Sequence, residues 1–189
     1  MDVKPKAAGK SSINHIDQDL AFENIMVGSR ATYLDLGCGA GNYTLALARR
    51  LGAGSLVYAL DLWEDGIAAL AESAREEGLG NVEPKVADLS QPLHLPTGSV
   101  DAAFMATVLH DLPESARPGL MEELCRVLVP GGIFALIEFK KFAQGPGPSS
   151  PDKRIGPEDA DRLTAPHGFV RDTVVDLGEF TYLARYIKK

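Results

Sequence analysis

A chain of 189 residues and 20.2 kDa has the size of one ordinary domain, and with 45% hydrophobic and 24% charged residues it fits neither a disordered nor a fibrous class. The formal charge of −7, from 19 basic and 26 acidic residues, repels phosphate backbones, so no nucleic-acid partner is expected. Two cysteines, Cys38 and Cys125, make neither a disulfide framework nor a zinc site, so no metal is expected and the chain reads as cytoplasmic.

The N-terminal stretch carries Lys4, Lys6 and Lys10 without the apolar centre of a secretory signal, and Asp2 argues against a transit peptide. Residues 1–12 are therefore expected to form a flexible basic tail ahead of a single domain, 13–189. Ile13, Ile16, Leu20 and Ile25 then predict an amphipathic helix over about 12–26. Residues 31–36 read as a buried strand, followed by a glycine turn and a helix over 42–51 that Gly52 stops. The pattern repeats, with a strand at 55–60 and a helix at 64–77 ending before Gly78. A third strand at 82–87 contains Pro84, which places it at a sheet edge because proline cannot donate to a ladder. Residues 100–105 give a fourth strand. Residues 113–128 give a helix that Pro118 breaks or restarts, and Gly131-Gly132 leads into a fifth strand at 133–139. The longest apolar runs, 100–109 and 131–139, fall short of the roughly 18 residues of a membrane span, so no membrane partner is expected. Gly and Pro crowd residues 143–157, which predicts a flexible loop acting as hinge or lid, before a helix at 158–165. Strands at 169–176 and 180–186 flank Leu177-Gly178-Glu179 as an antiparallel hairpin. Strands alternating with helices predict a doubly wound, Rossmann-like α/β fold with helices on both faces of the sheet.

The most informative stretch is Asp35-Leu36-Gly37-Cys38-Gly39-Ala40-Gly41. Three alternating glycines at a strand-to-helix junction let backbone approach a ligand where a side chain would collide, at the carboxyl end of the first strand. Tight packing of strand on helix is the competing reading. Asp61 ends the second strand, 20 residues after Gly41, where a carboxylate accepts ribose hydroxyls. Asp88, after the third strand, stands where an acid accepts from an exocyclic amino group and so prefers adenine. Leu62 and Trp63 are placed to pack on the base. Each acid also has a plain reading as a solvated loop residue or helix cap. The spacing Gly37-x-Gly39-x-Gly41 departs from the Gly-x-Gly-x-x-Gly of dinucleotide sites, and no Gly-Lys-Ser/Thr follows it. Asp35 would repel a pyrophosphate and attract an ammonium, which points to an adenosine ligand with a cationic tail.

The residues 33–44, Tyr-Leu-Asp-Leu-Gly-Cys-Gly-Ala-Gly-Asn-Tyr-Thr, resemble the first motif of the class I S-adenosylmethionine-dependent methyltransferases. Asp61-Leu62 resembles the second motif and Val86-Ala87-Asp88-Leu89 the adenine-reading segment. Val100-Asp101 through Thr107-Val108-Leu109-His110 resembles the fourth-strand motif, and residues 124–132 the segment before strand five. The likeness is to the small UbiE-like, methyltransferase domain 11/25 type and covers about 33–141. It implies a seven-stranded mixed sheet whose last strand is antiparallel, with S-adenosylmethionine as cofactor and S-adenosylhomocysteine as product. It further implies that Asp35, Gly37 and Gly39 lie along the methionyl part, that Asp61 holds the ribose, and that Asp88 with the Leu89 backbone reads adenine. Ala106 and Thr107 would line the methyl-transfer region. The Asn/Asp-Pro-Pro-Tyr signature of amide- and nucleobase-methylating relatives is absent, since Ala106-Thr107-Val108-Leu109 stands there, and the cysteines of arsenite-methylating relatives are missing. A small-molecule acceptor is expected.

Methyl transfer is an in-line displacement, so orientation supplies much of the catalysis, on the order of 7–11 kcal/mol in favourable cases, and a base adds about 10² to 10⁴ in rate. His110 is the candidate base and Asp111 the residue that orients it; a cap of the loop before Pro113 is the alternative for His110, and a cap of the next helix for Asp111. Tyr43 either closes over the methionyl group or belongs to the core. Lys140, Lys141, Lys153 and Arg154 are expected to be solvated loop charges unless they attract an acidic acceptor. Two rival functions stay open: a sensor that binds S-adenosylmethionine or S-adenosylhomocysteine without transfer, and an oxidoreductase.

Overall fold

In the computed structural model, residues 8–141 and 145–189 are described, so Lys4 and Lys6 of the basic tail and residues 143 and 144 of the glycine- and proline-rich loop lie outside the described residues. Seven strands form one sheet in the order β3-β2-β1-β4-β5-β7-β6, with β1 Thr32–Leu36, β2 Leu56–Asp61, β3 Val82–Val86, β4 Val100–Ala106, β5 Leu128–Phe139, β6 Phe169–Asp176 and β7 Thr181–Lys188. β3, β2, β1, β4 and β5 pair in parallel, and β7 inserts antiparallel between β5 and β6. Order therefore reverses beside β1, whose carboxyl end opens onto the crevice where such sheets hold ligands. Pro84 does lie on an edge strand, where its missing N–H leaves no gap in the ladder.

Alternation along the strands sorts the core onto two faces. Tyr33, Val57, Phe104 and Ile137 meet α1 (Gln18–Ile25) and α2 (Asn42–Arg50), while Leu34, Leu36, Phe134 and Leu136 meet α4 (Arg117–Val127) and α5 (Pro157–Thr164). The remaining helix, α3 (Glu64–Glu76), packs Ile67 and Leu70 against Leu45 and Ala59. Glu64 and Asp65 in its first turn suit the positive end of the helix dipole.

Three boundaries differ from expectation by more than two residues, each for a local reason. The first helix begins only at Gln18, because Asp17 caps it by accepting from the Leu20 N–H at 3.0 Å, and Ile13–His15 form a separate 3₁₀ turn. α4 begins at Arg117, so Pro118 sits in its first turn, where no intrahelical N–H is needed. β5 starts at Leu128 rather than 133: Leu128 pairs with Val100, and a register shift absorbs Pro130-Gly131-Gly132 before Ile133 pairs with Ala102. The tail also ends sooner than expected, since Ser12 is buried.

Candidate functional site

The glycine turn links β1 to α2, and its three glycines divide the work. Gly37 and Gly41 have positive φ, and a Cβ on either would lie 2.5 Å from Val108 or 2.2 Å from Leu70, so both are required by packing. Gly39, at φ +56°, is different: a Cβ there would enter open space. Asp61 ties this turn to β2. Its Oδ2 accepts from the Gly39 N–H at 2.7 Å and its Oδ1 from the Trp63 N–H at 2.8 Å, and each oxygen keeps capacity for one more donor.

Asp35 is 1% exposed and accepts one hydrogen bond, from the Thr44 hydroxyl at 2.6 Å. Burial, partly offset by that bond and reinforced by the charge of Asp61, pushes its carboxyl up to about 7. A buried acid poised this way matches a ligand that brings a cation. Asp88 is exposed, and its Oδ1 accepts from both the amide and the hydroxyl of Ser90, at 2.9 and 2.7 Å. Leu62 is also exposed, whereas the Leu89 side chain is in the core, so only its backbone is available to a base. The row Asp35, Gly39, Asp61, Asp88 thus crosses the carboxyl ends of β1, β2 and β3, and its chemistry fits S-adenosylmethionine: acceptors at either end, open space over Gly39 between them.

Tyr43 takes the core reading. Its ring packs against Phe22 and Phe104, and its hydroxyl bonds the Ser12 hydroxyl at 2.9 Å, which in turn lies 3.3 Å from the Thr107 hydroxyl. Ser12, absent from the sequence-based candidates, closes the N-terminal segment over the end of β4. Thr107 follows Ala106 at that end in a left-handed conformation, φ +56°, unusual for a β-branched residue, and its N–H donates to the Ile137 carbonyl at 2.8 Å.

Thr107 and His110 open onto a cavity of about 1010 Å³ walled by residues 10–15 on one side and 146–155 on the other. His110 sits on the 3₁₀ turn Leu109–Asp111, and its Nδ1 lies 2.8 Å from Glu138 Oε2 and 3.1 Å from Oε1. Glu138 continues the β5 row that faces α4 and α5, is wholly buried, and also accepts from the His110 and Phe139 backbone N–H groups at 3.2 Å. Burial pulls the imidazole pKa down, as does Arg117, but the Glu138 bond and charge with Asp111 outweigh them and hold it above 6.5. Asp111 stands 3.6 Å from Nε2 with an exposed side chain, so Glu138, not Asp111, orients the ring. The signal for Glu138 was an acid in an otherwise apolar strand run.

Against known proteins, residues 34–132 match the family model described as a methyltransferase domain. A nocamycin O-methyltransferase of Saccharothrix syringae is 34% identical over 127 residues, 66% of this chain and 41% of that protein. A 2-phytyl-1,4-naphtoquinone methyltransferase of Nostoc punctiforme is 33% identical over 145 residues, 75% of this chain and 58% of that protein. The chain thus spans about half the length of the curated relatives it matches. A solved structure of an S-adenosylmethionine-dependent methyltransferase from Aquifex aeolicus superposes with a TM-score of 0.85 at 28% identity, covering 97% of this chain and 96% of that one. The chain belongs to the class I S-adenosylmethionine-dependent methyltransferases, and S-adenosylmethionine is its cofactor.

Proposed function

We propose that residues 13–189 form one catalytic domain that methylates a hydroxyl of a small molecule held in the cavity beside Thr107. The observation that carries this reading is the juxtaposition of the His110–Glu138 pair with that cavity, at the end of the strand next to the glycine turn. When bound, S-adenosylmethionine supplies a methyl group activated by its positive sulfur. The open backbone at Gly39 and the carboxyl groups of Asp35, Asp61 and Asp88 would hold it, and Ala106 and Thr107 would stand beside the methyl-transfer region. Nδ1–H of His110 donates to Glu138, which leaves Nε2 as the proton acceptor on the cavity side. As the acceptor oxygen is alkylated its proton passes to Nε2, and the buried Glu138 carboxylate stabilises the imidazolium so formed. Residues 10–15 and 146–155 flank the site. The names of the two curated relatives, which act on nocamycin and a naphthoquinone, support a small-molecule acceptor.

Incubation with methyl-labelled S-adenosylmethionine and a panel of phenols, quinols and hydroxy acids tests this. Label transfer with matching S-adenosylhomocysteine, lost on His110→Ala, is the expected result. Tight cofactor binding with no transfer to any panel member would favour the sensor instead.

A further inference from the structure

We infer that the cavity is built for an anionic acceptor, whose carboxylate or phosphate is bound by the guanidinium of Arg154; this rests on reading the cavity as the acceptor site. Arg154 follows the 3₁₀ turn Pro151–Lys153, lines the cavity and is only 4% exposed. Its Nε, Nη1 and Nη2 donate to the carbonyls of Pro148, Lys140 and Pro146 at 3.0, 3.0 and 3.1 Å. A guanidinium stays charged and has five N–H groups, so two remain and no partner so far carries the opposite charge.

Its neighbours are treated differently. Lys140 pairs with Asp176 at 2.7 Å, Lys141 and Arg162 with Asp159, and Arg171 with Asp161 at 2.7 Å. Among the described residues no carboxylate lies within 4.0 Å of Arg154. The buried Glu138 is engaged by His110; of the acids that line the cavity, the half-buried Asp159 is engaged by Lys141 and Arg162, and Asp111, Glu114 and Asp152 have exposed side chains screened by water. A buried charge without a counter-charge is costly, and a ligand anion removes that cost. Lys10, Arg117 and Lys153 add positive charge around the same cavity.

The site is also rigidly built. Gly147 has φ +94°, and a Cβ there would lie 2.5 Å from Phe139, so the loop backbone is pressed onto that ring. The Arg154 guanidinium lies 5.7 Å from the centroid of the same ring, and the His110 ring meets it edge-on at 5.6 Å. Phe139 therefore neighbours both the base and the anion site. An acceptor carrying a hydroxyl and an anionic group satisfies both, and a carboxylate or a phosphate can accept from the N–H left on each Nη of the guanidinium.

Nuclear magnetic resonance titrations of the labelled full chain, with and without S-adenosylhomocysteine, test this with benzoate and phenyl phosphate as anions and benzamide and phenol as neutral counterparts. The expected result is binding of at least one anion about tenfold tighter than its neutral counterpart, with a shift of the Arg154 Nε–Hε resonance. The better anion identifies the group. Arg154→Gln is expected to abolish the preference; should that variant unfold, Arg154→Lys, which keeps the charge and loses the fork, is expected to weaken anion binding at least threefold. No anion binding, equal binding of anions and neutral probes, or an undiminished preference in the folded variant overturns the inference. S-Adenosylhomocysteine binding in the same samples separates these failures from failure of the cofactor site.

Discussion

The cofactor side and the acceptor side of this molecule are assembled from different materials. On the cofactor side a contiguous turn, residues 35–41, meets two carboxylates at neighbouring strand ends, and one of them, Asp61, is tied to the turn by accepting from the Gly39 N–H. On the acceptor side residues near 10–15 and 107–117 meet residues 139–141 and 146–159, from near the other end of the chain, around one cavity. The first can be recognised as a motif because its glycines fall together in one strand-to-helix turn and its acids at the next strand ends. The second exists only through tertiary packing, and there the acceptor chemistry resides.

This division should show in how variants fail. The largest expected effect is on the acceptor side: His110→Ala lowers kcat by about 10² to 10⁴ while S-adenosylhomocysteine affinity, measured calorimetrically, stays within twofold. A comparable loss of affinity would place His110 in the cofactor site. Next in size is a pH effect on the cofactor side. The Asp35 carboxyl, protonated in the folded chain up to about 7, ionises near 3.8 when unfolded, so the folded state binds the extra proton and stability falls as pH rises between those values. Asp35→Asn removes this dependence, and its stability relative to wild type should grow between pH 4 and 7 by up to about 4 kcal/mol in denaturant unfolding. A gap that does not change with pH would contradict the burial argument.

Smaller effects separate the glycines. Gly41→Ala should cost about 1–3 kcal/mol of stability through the Leu70 clash. Gly39→Ala should cost less stability but weaken cofactor binding more; equal behaviour in thermal unfolding and calorimetry would erase the distinction drawn between them. The smallest is Asp61→Ala, with a cofactor affinity loss of about 1–2 kcal/mol. Unchanged affinity would reduce Asp61 to a tether of the turn.

The alternation of strand and helix, the edge position of Pro84 and the terminal hairpin were all legible, because periodicity and proline chemistry act locally. The start of β5 was not, since pairing of Leu128 with Val100 overrides the breaking tendency of Pro130 and the glycines. In the site, the acids and glycines were legible by spacing, but Tyr43 was ambiguous until Ser12 supplied its hydroxyl partner. Asp111 was legible as a partner of His110 because it adjoins it in sequence, whereas Glu138 was not: 28 residues separate it from His110, and only the pairing of β4 with β5 closes that gap. Arg154 read as a solvated loop charge because its three carbonyl partners come from backbone, which leaves no trace in residue identity.

The account's central claim is that a cofactor carrying adenosine and a cationic tail lies over Gly39. Calorimetric titration of S-adenosylhomocysteine into wild type and Gly39→Val tests it most directly. Saturable binding to wild type, weakened at least tenfold in a variant that remains folded, with no heat from NAD, is the expected result. Equal affinity for both proteins, or no binding to wild type, would contradict it.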